Sequence, residues 1–186
     1  WLETISAPEE FKAAAEAFSR IALPWVGTMS FDTAGRTMMG TSPAEMVDLI
    51  SSIPNKPIAF GANCGTGAPD LLRTVQDFAK SSPNSILIAK GNAGIPRYVD
   101  GHILYDGTPE LMAKYAVMAR NSGAKMIGGC CGTKPEHLRS MRAALESEVI
   151  GTVPSLQQVE LQIGPFSSQI RREIEEQKSK RRRRRG

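Results

Sequence analysis

Every cysteine of the chain lies in one of two glycine-framed segments, and each segment follows a short apolar run. The first segment is GANCG at residues 61–65, and the second is GGCCG at residues 128–132. Short, continuously apolar runs are typical of strands that are buried on both faces. An odd number of cysteines, two of them adjacent, is a poor disulfide framework and indicates reduced thiols or a metal site.

Strand-like runs alternate with helical patterns along most of the chain, which predicts βα units and a parallel sheet. No Gly-x-Gly-x-x-Gly turn follows any of these runs, and this disfavours a doubly wound dinucleotide fold. The fold predicted is therefore a (β/α)₈ barrel, in which the carboxyl ends of the strands carry the chemistry. Both cysteine segments lie at such ends. The predicted strands cover residues 1–3, 25–31, 57–63, 85–90 and 125–129.

Hydroxyl, proline and glutamate recur together where the helices are predicted to begin. The runs SAPE at residues 6–9, SPAE at 42–45 and TKPE at 133–136 each predict a capping box, with Ser6, Ser42 and Thr133 as the N-caps. Thr108 opens a further helix with a looser form of this pattern. These caps fix the predicted start of each helix directly after a strand or loop.

Cys64, Cys130 and Cys131 have the number and type of ligands that suit a catalytic zinc site. Zinc prefers four tetrahedral ligands, and catalytic sites use three from the protein and leave the fourth open. The adjacent pair can face one metal only if the backbone leaves the extended form, since successive strand residues point to opposite faces. Gly128, Gly129 and Gly132 would give the backbone that freedom. The alternative is that the three are small buried residues, as cysteine often is.

The two segments, read together, resemble the zinc-binding signature of the homocysteine S-methyltransferases. GANCG is followed by GGCCGTKPEH, while WLETISAPEE, GTMSFDTAGRTMMGTSP and AKGNAGIPRYVDG resemble the fourth, fifth and seventh barrel strands of that family. The resemblance covers the chain to about Leu145. It implies a C-terminal part of a barrel at residues 1–148, about its last five βα units, and an extension at 149–186 with a polar helix at 167–180 and an arginine-rich tail.

The resemblance implies an enzyme that transfers a methyl group to the thiolate of homocysteine to give methionine, with Zn²⁺ as cofactor. A thiol titrates well above neutral pH and is a poor nucleophile until it is deprotonated, which coordination to zinc achieves. The donor stays open between betaine, S-methylmethionine and methylcobalamin, and a small betaine-like donor is favoured. Two alternatives remain: a corrinoid-linked methionine synthase subunit, and a truncated zinc- or homocysteine-binding module without turnover.

Two further residues are candidates for substrate binding. Glu3, at the end of the first predicted strand, resembles the family's partner for the ammonium group of homocysteine. Asn63 could orient Cys64 or donate to its sulfur. The histidines carry no predicted ligand role: His137 is expected on a helix surface and His102 in a polar loop. Met29, Met38, Met39 and Met126 are expected to be packing residues.

Composition limits the class and the partners. No apolar run reaches the roughly 20 residues that cross a bilayer, no secretory leader opens the chain, and a cytoplasmic protein is expected. Residues 178–185 hold seven of the positive charges, so the rest of the chain is net negative. No aromatic residue interleaves these charges, and nucleic-acid binding is not predicted. Five strands would leave exposed edges, so missing N-terminal strands, a partner chain or a second copy is expected to cover them.

Overall fold

A computed structural model describes residues 1–21, 23–32, 34–94 and 96–168. Within them, the strands of the main sheet are β1 (Leu2–Ile5), β2 (Val26–Met29), β3 (Ala59–Cys64), β4 (Leu87–Gly91) and β7 (Ala124–Gly129). The helices are α1 (Pro8–Phe18), α2 (Pro43–Ser52), α3 (Ala68–Ser81), α4 (Pro109–Asn121), α5 (Pro135–Ser147) and α6 (Leu156–Ile163). The five strands are parallel and form one sheet in the order β1-β2-β3-β4-β7. Helices α1 to α3 connect the first four strands, and α5 follows β7.

All five predicted strands are present, and none of their ends differs from the prediction by more than two residues. β2 begins and ends inside the predicted run, because Trp25 and Phe31 lie just outside the ladder. Both are nevertheless buried, with 4% and 3% of their surface exposed. Burial, rather than strand pairing, therefore explains why these apolar residues extend the pattern.

The sheet has two chemically different faces. Side chains of one face pack with the helices into the main core, which includes Phe11, Leu72 and Phe78. The opposite face holds a small apolar cluster of Val26, Ala59 and Ile88, with Met126 packed against it. The helix-covered face supplies most of the buried apolar area, which drives folding.

Two of the three predicted capping boxes are wrong. The box at Ser42 is confirmed, since its hydroxyl accepts from the Glu45 amide and the Glu45 carboxylate accepts from the Ser42 amide. In α1 the N-cap is Ala7, and no side chain caps the helix. In α5 the N-cap is Lys134 instead of Thr133. In both helices the residue directly before the proline is the cap, because proline takes the first helical position.

A two-stranded antiparallel hairpin between β4 and α4 was not predicted. It consists of β5 (Pro96–Val99) and β6 (His102–Tyr105). Its turn residues Asp100 and Gly101 have φ values of 49° and 83°, as a two-residue type I′ turn requires. His102 therefore lies in a strand, and its placement in a polar loop is wrong. The Asp-Gly pair was the sequence signal for this hairpin.

The last described segment folds back onto the helical layer. Helix α6 was not predicted, yet Val159 and Ile163 are buried in the main core. Gln76 of α3 donates a hydrogen bond of 2.8 Å to the carbonyl of Pro154, just before α6 begins. Most of the polar helix predicted at residues 167–180, and the arginine-rich tail, lie outside the described residues. Among the helices that the structure describes, none has the length and apolarity to span a bilayer.

Candidate metal centre

The three cysteine sulfurs lie together at the carboxyl end of the sheet. All three Sγ atoms are within 4.8 Å of one another, and those of Cys64 and Cys131 are 3.7 Å apart. No disulfide joins them. Cys64 and Cys130 are partly buried, whereas Cys131 is exposed. The arrangement is an open cluster of thiols with one side facing solvent.

The backbone leaves the extended form at both cysteine segments. Cys64 has a φ of 61°, a left-handed conformation that is uncommon for a residue other than glycine. An extended Cys64 would point to the face opposite Asn63, so this conformation turns its side chain toward the other cysteines. After β7, the Thr133 amide bonds to the Cys130 carbonyl and Gly132 has a φ of 76°. The prediction of a turn is confirmed at Gly132, but Gly128 and Gly129 are strand residues.

Asn92 joins the two cysteine segments, and sequence reasoning missed it. Its side-chain oxygen accepts from the Cys131 amide at 3.1 Å, and its amide group donates to the Gly65 carbonyl at 3.0 Å. The side chain is 1% exposed. Its position directly after β4, between the two strands that carry the cysteines, was the available signal. The bonds hold the two ligand loops at a fixed separation.

Asn63 is buried beneath the cluster and contacts Cys130. Its Nδ2 lies 3.7 Å from the Cys130 sulfur and 2.7 Å from the Thr4 hydroxyl oxygen. Its Oδ1 accepts from the Thr28 hydroxyl at 2.6 Å and from the Thr4 amide at 2.9 Å. The sulfur that Asn63 contacts in this structure is thus that of Cys130. Four contacts fix the orientation of this side chain.

The thiols influence one another's ionisation. A hydrogen bond with Cys64 holds the pKa of Cys130 down at about 5, and the Asn63 amide and the Cys131 backbone act in the same direction. The same hydrogen bond with Cys130, together with burial, raises the pKa of Cys64. Such a pair shares one proton, so the first deprotonation belongs to both sulfurs. One thiolate therefore forms readily near neutral pH, and the other needs a cation to replace its proton.

Comparison with known proteins identifies the group to which this fold and cluster belong. The family model described as homocysteine S-methyltransferase matches residues 1–145. The chain belongs to the homocysteine S-methyltransferase family. The apo form of the homocysteine methyltransferase MmuM from Escherichia coli matches with a TM-score of 0.61 at 22% identity, over 76% of this chain and 47% of that one. Its metallated form matches with a TM-score of 0.58 at 24% identity, over 76% and 43%.

The chain spans less than half the length of these solved structures. Its parallel five-stranded sheet corresponds to about half of a homocysteine methyltransferase barrel. The barrel fold predicted from the sequence is confirmed to that extent.

The residues present fit the zinc ion that homocysteine S-methyltransferases imply. Zinc–sulfur bonds of about 2.3 Å at tetrahedral angles place two sulfurs about 3.8 Å apart. The 3.7 Å between the Cys64 and Cys131 sulfurs agrees with this spacing. Among the described residues, the cluster contains three cysteines and no fourth Cys, His, Asp or Glu side chain that could bind a metal. Three thiolate ligands match a zinc site that keeps one position open. The cluster is consistent with a zinc site.

Glu3 does not belong to the cysteine cluster, and it lies on the sheet face that carries Asn63. Its carboxylate forms an ion pair with the Lys90 ammonium group, and that group lies 5.2 Å from the centre of the Trp1 ring. These three residues, with Ile88, Met126 and Gly128, line an open cavity of about 610 Å³. Neither Lys90 nor Trp1 was singled out by the sequence. Lysine in an otherwise apolar strand was the signal.

The structure corrects two expectations about nearby residues. His137 is buried, with 5% exposed, rather than on the surface of its helix. Its Nδ1 accepts from the Lys134 amide at 2.8 Å, and its Nε2 lies 2.9 Å from the Gly107 carbonyl oxygen.

Met29 is a packing residue as predicted, and Met126 packs against the small cluster. Met38 and Met39 are 73% and 68% exposed, so the packing role predicted for them is wrong.

Tyr105 places the unpredicted hairpin against the cysteines. A Cβ atom at Gly132 would lie 2.4 Å from the Tyr105 Cβ, so the tyrosine packs directly on the loop that follows Cys131. Burial and a hydrogen bond with the Cys131 side chain raise the pKa of the Tyr105 phenol. The hairpin thus covers one side of the candidate metal centre.

Proposed function

We propose that the full-length protein is a zinc-dependent homocysteine S-methyltransferase, which transfers a methyl group from a small donor to the homocysteine thiolate and releases methionine. The observation that carries the proposal is the convergence of Cys64, Cys130 and Cys131 within 4.8 Å. Family membership supports the substrate. A zinc ion held by these residues would keep the substrate thiol deprotonated at neutral pH.

The protein residues hold the ligands and set their charge. Three cysteinates would give the zinc site excess negative charge. This charge favours a bound substrate sulfur that stays nucleophilic, and it disfavours the activation of water. The Asn63 amide contacts the Cys130 sulfur, and Asn92 ties the Cys131 loop to Gly65. Such partners orient ligands and tune their basicity. Glu3 is proposed to bind the substrate ammonium group.

A small onium compound of the betaine type is the donor that we favour. The Trp1 ring is 58% exposed and lines the cavity beside Glu3. Quaternary ammonium groups bind to aromatic faces, and a neighbouring carboxylate strengthens the attraction to the cation. The protein is proposed to act in the cytoplasm.

Metal analysis and methionine formation test the proposal. The reduced full-length protein should carry about one zinc per chain, and Cys64→Ser, Cys130→Ser or Cys131→Ser should each lose most of it. X-ray absorption should show a fourth sulfur ligand when homocysteine is added. Methionine should form with betaine. Zinc-free protein after expression in zinc-supplemented medium, or an unchanged metal shell with homocysteine, would contradict the mechanism.

The remaining outcomes separate the alternatives. Methionine formation only with methylcobalamin would favour the corrinoid-linked subunit. A zinc- or homocysteine-binding module without turnover is the second candidate. Zinc and homocysteine binding without methionine from any of the three donors would support that candidate and refute the methyltransferase.

A further inference from the structure

Lys90 is placed where a cation is costly unless it has a partner. It is the fourth residue of β4, level with Asn63 on one side and with Gly128 on the other. Its neighbours on the same sheet face include the fully buried Ile88. The Lys90 side chain is 22% exposed. A largely buried ammonium group is retained only where an anion compensates for its lost hydration.

In this structure the compensating anion is Glu3. Among the side chains of the described residues that line the cavity, Lys90 carries the one positive charge and Glu3 the one negative charge. The two come from β1 and β4, which are three strands apart in the sheet order, so their charges meet above the strands between them. Gly128 has no side chain, and a Cβ there would only just contact Lys90, at 3.5 Å from its Cγ. The pair therefore has open space beside it.

We propose that Lys90 binds the carboxylate of a zwitterionic ligand while Glu3 binds the cationic group of that ligand. This assignment rests on the proposed function, which supplies two such ligands: homocysteine and a betaine-type donor. Each carries one carboxylate and one cationic nitrogen. A zwitterion that inserts between Glu3 and Lys90 replaces their single ion pair by two ion pairs, one with each residue. Every charge therefore keeps a partner of opposite sign.

The position of Lys90 relative to the cysteines supports this role. Asn63, its register partner, contacts the Cys130 sulfur. Neighbouring strands are about 4.8 Å apart, so the Lys90 backbone lies one strand spacing from a residue that contacts the metal centre. A short ligand can therefore have its reacting end at the cysteines and its carboxylate at Lys90.

Paired ligands with and without a carboxylate test the role of Lys90. Calorimetry on the zinc-loaded full-length protein would compare homocysteine with 3-aminopropane-1-thiol, and glycine betaine with tetramethylammonium. Lys90→Met should weaken binding of at least one zwitterion about tenfold to a hundredfold, the range of a lost charged hydrogen bond, and should not weaken binding of the analogue without a carboxylate. The pair that responds identifies which ligand Lys90 binds.

Control variants separate recognition from stability. Lys80→Met removes an exposed lysine that pairs with Asp77 on α3, and it should change none of the four affinities. Lys90→Arg should restore most of the binding, and Lys90→Gln provides a second neutral variant if Lys90→Met unfolds. Equal weakening within both pairs would make Lys90 a purely structural residue and overturn the proposal, as would no weakening at all. Wild-type protein that binds none of the four ligands would overturn the proposed function itself.

Discussion

Replacement of Asn63 by alanine tests whether the polar network beneath the cysteines supports the metal centre. The side chain is fully buried and has four polar contacts: the amide and hydroxyl of Thr4, the Thr28 hydroxyl and the Cys130 sulfur. Alanine would remove all four and leave the groups on Thr4 and Thr28 without their partner. Thr28 is also fully buried, so water replaces the lost bond poorly.

The expected loss of stability follows from these contacts. A buried group left without its partner costs about 1–3 kcal/mol, and two positions are affected. Water can reach part of the Thr4 side, so we expect Asn63→Ala to lower the free energy of unfolding by about 2–4 kcal/mol. Loss of the contact to the Cys130 sulfur should weaken zinc binding by about 10- to 100-fold, as removal of a residue that supports a metal ligand does.

Two measurements on the same variant separate these effects. Urea unfolding of the full-length protein reports stability, and competition with a chromophoric chelator reports zinc affinity. Asn55→Ala is the matched control, because Asn55 precedes the start of β3 while Cys64 lies at its other end, and Asn55 donates a bond of 3.3 Å to the Ala15 carbonyl. It should cost less than about 1 kcal/mol and leave zinc affinity unchanged. Asn63→Ala protein with normal zinc affinity would refute the role of Asn63 at Cys130, whatever its stability.

Two further predictions concern the loops around the cysteines. Gly132→Ala should destabilise the protein by about 2–4 kcal/mol and reduce its zinc content, since a Cβ at this left-handed backbone position would collide with Tyr105. Gly40 is also left-handed, with a φ of 89°, but it faces open space, so Gly40→Ala should cost only about 1–2 kcal/mol. Similar losses for both, by urea unfolding, would contradict the collision. His137→Ala should cost about 1–3 kcal/mol yet leave the zinc content normal, because the ring bonds to backbone groups of Lys134 and Gly107; loss of zinc would contradict this.

The sequence predicted the strands well because their apolar runs are continuous. Residues of β3 and β4 are buried on both faces, so the runs are apolar up to Asn63 and Lys90 near their carboxyl ends and are conspicuous. Helix starts were predicted less well. At Ser6 and Thr133 a hydroxyl stands two residues before the proline and does not cap the helix. At Ser42 and Thr108 it directly precedes the proline and caps the helix, as predicted.

The identity of the ligand set was predictable, but its supporting contacts were not. Cysteine type, number and glycine framing are properties of the local sequence. The partner of Asn63, the role of Asn92 and the burial of His137 depend on which residues of different strands and loops come level with each other. Those contacts depend on strand register and on the paths of the loops. A single sequence does not specify either where a hairpin such as β5–β6 is inserted in the connection from β4 to β7.

The end of β4 supplies no metal ligand, yet it is part of the metal centre because it holds together two cysteine segments that lie on either side of it. β4 separates β3 from β7, so strands about 9.6 Å apart must bring their sulfurs within 4.8 Å. The end of β4 draws them together: the Gly91 carbonyl accepts from the Cys130 amide at 2.8 Å, and Asn92 bonds to both segments. The buried Tyr115 hydroxyl in turn accepts from the Gly91 amide. Because none of these bonds involves a sulfur atom or a metal ion, the separation of the sulfurs is set before any metal binds.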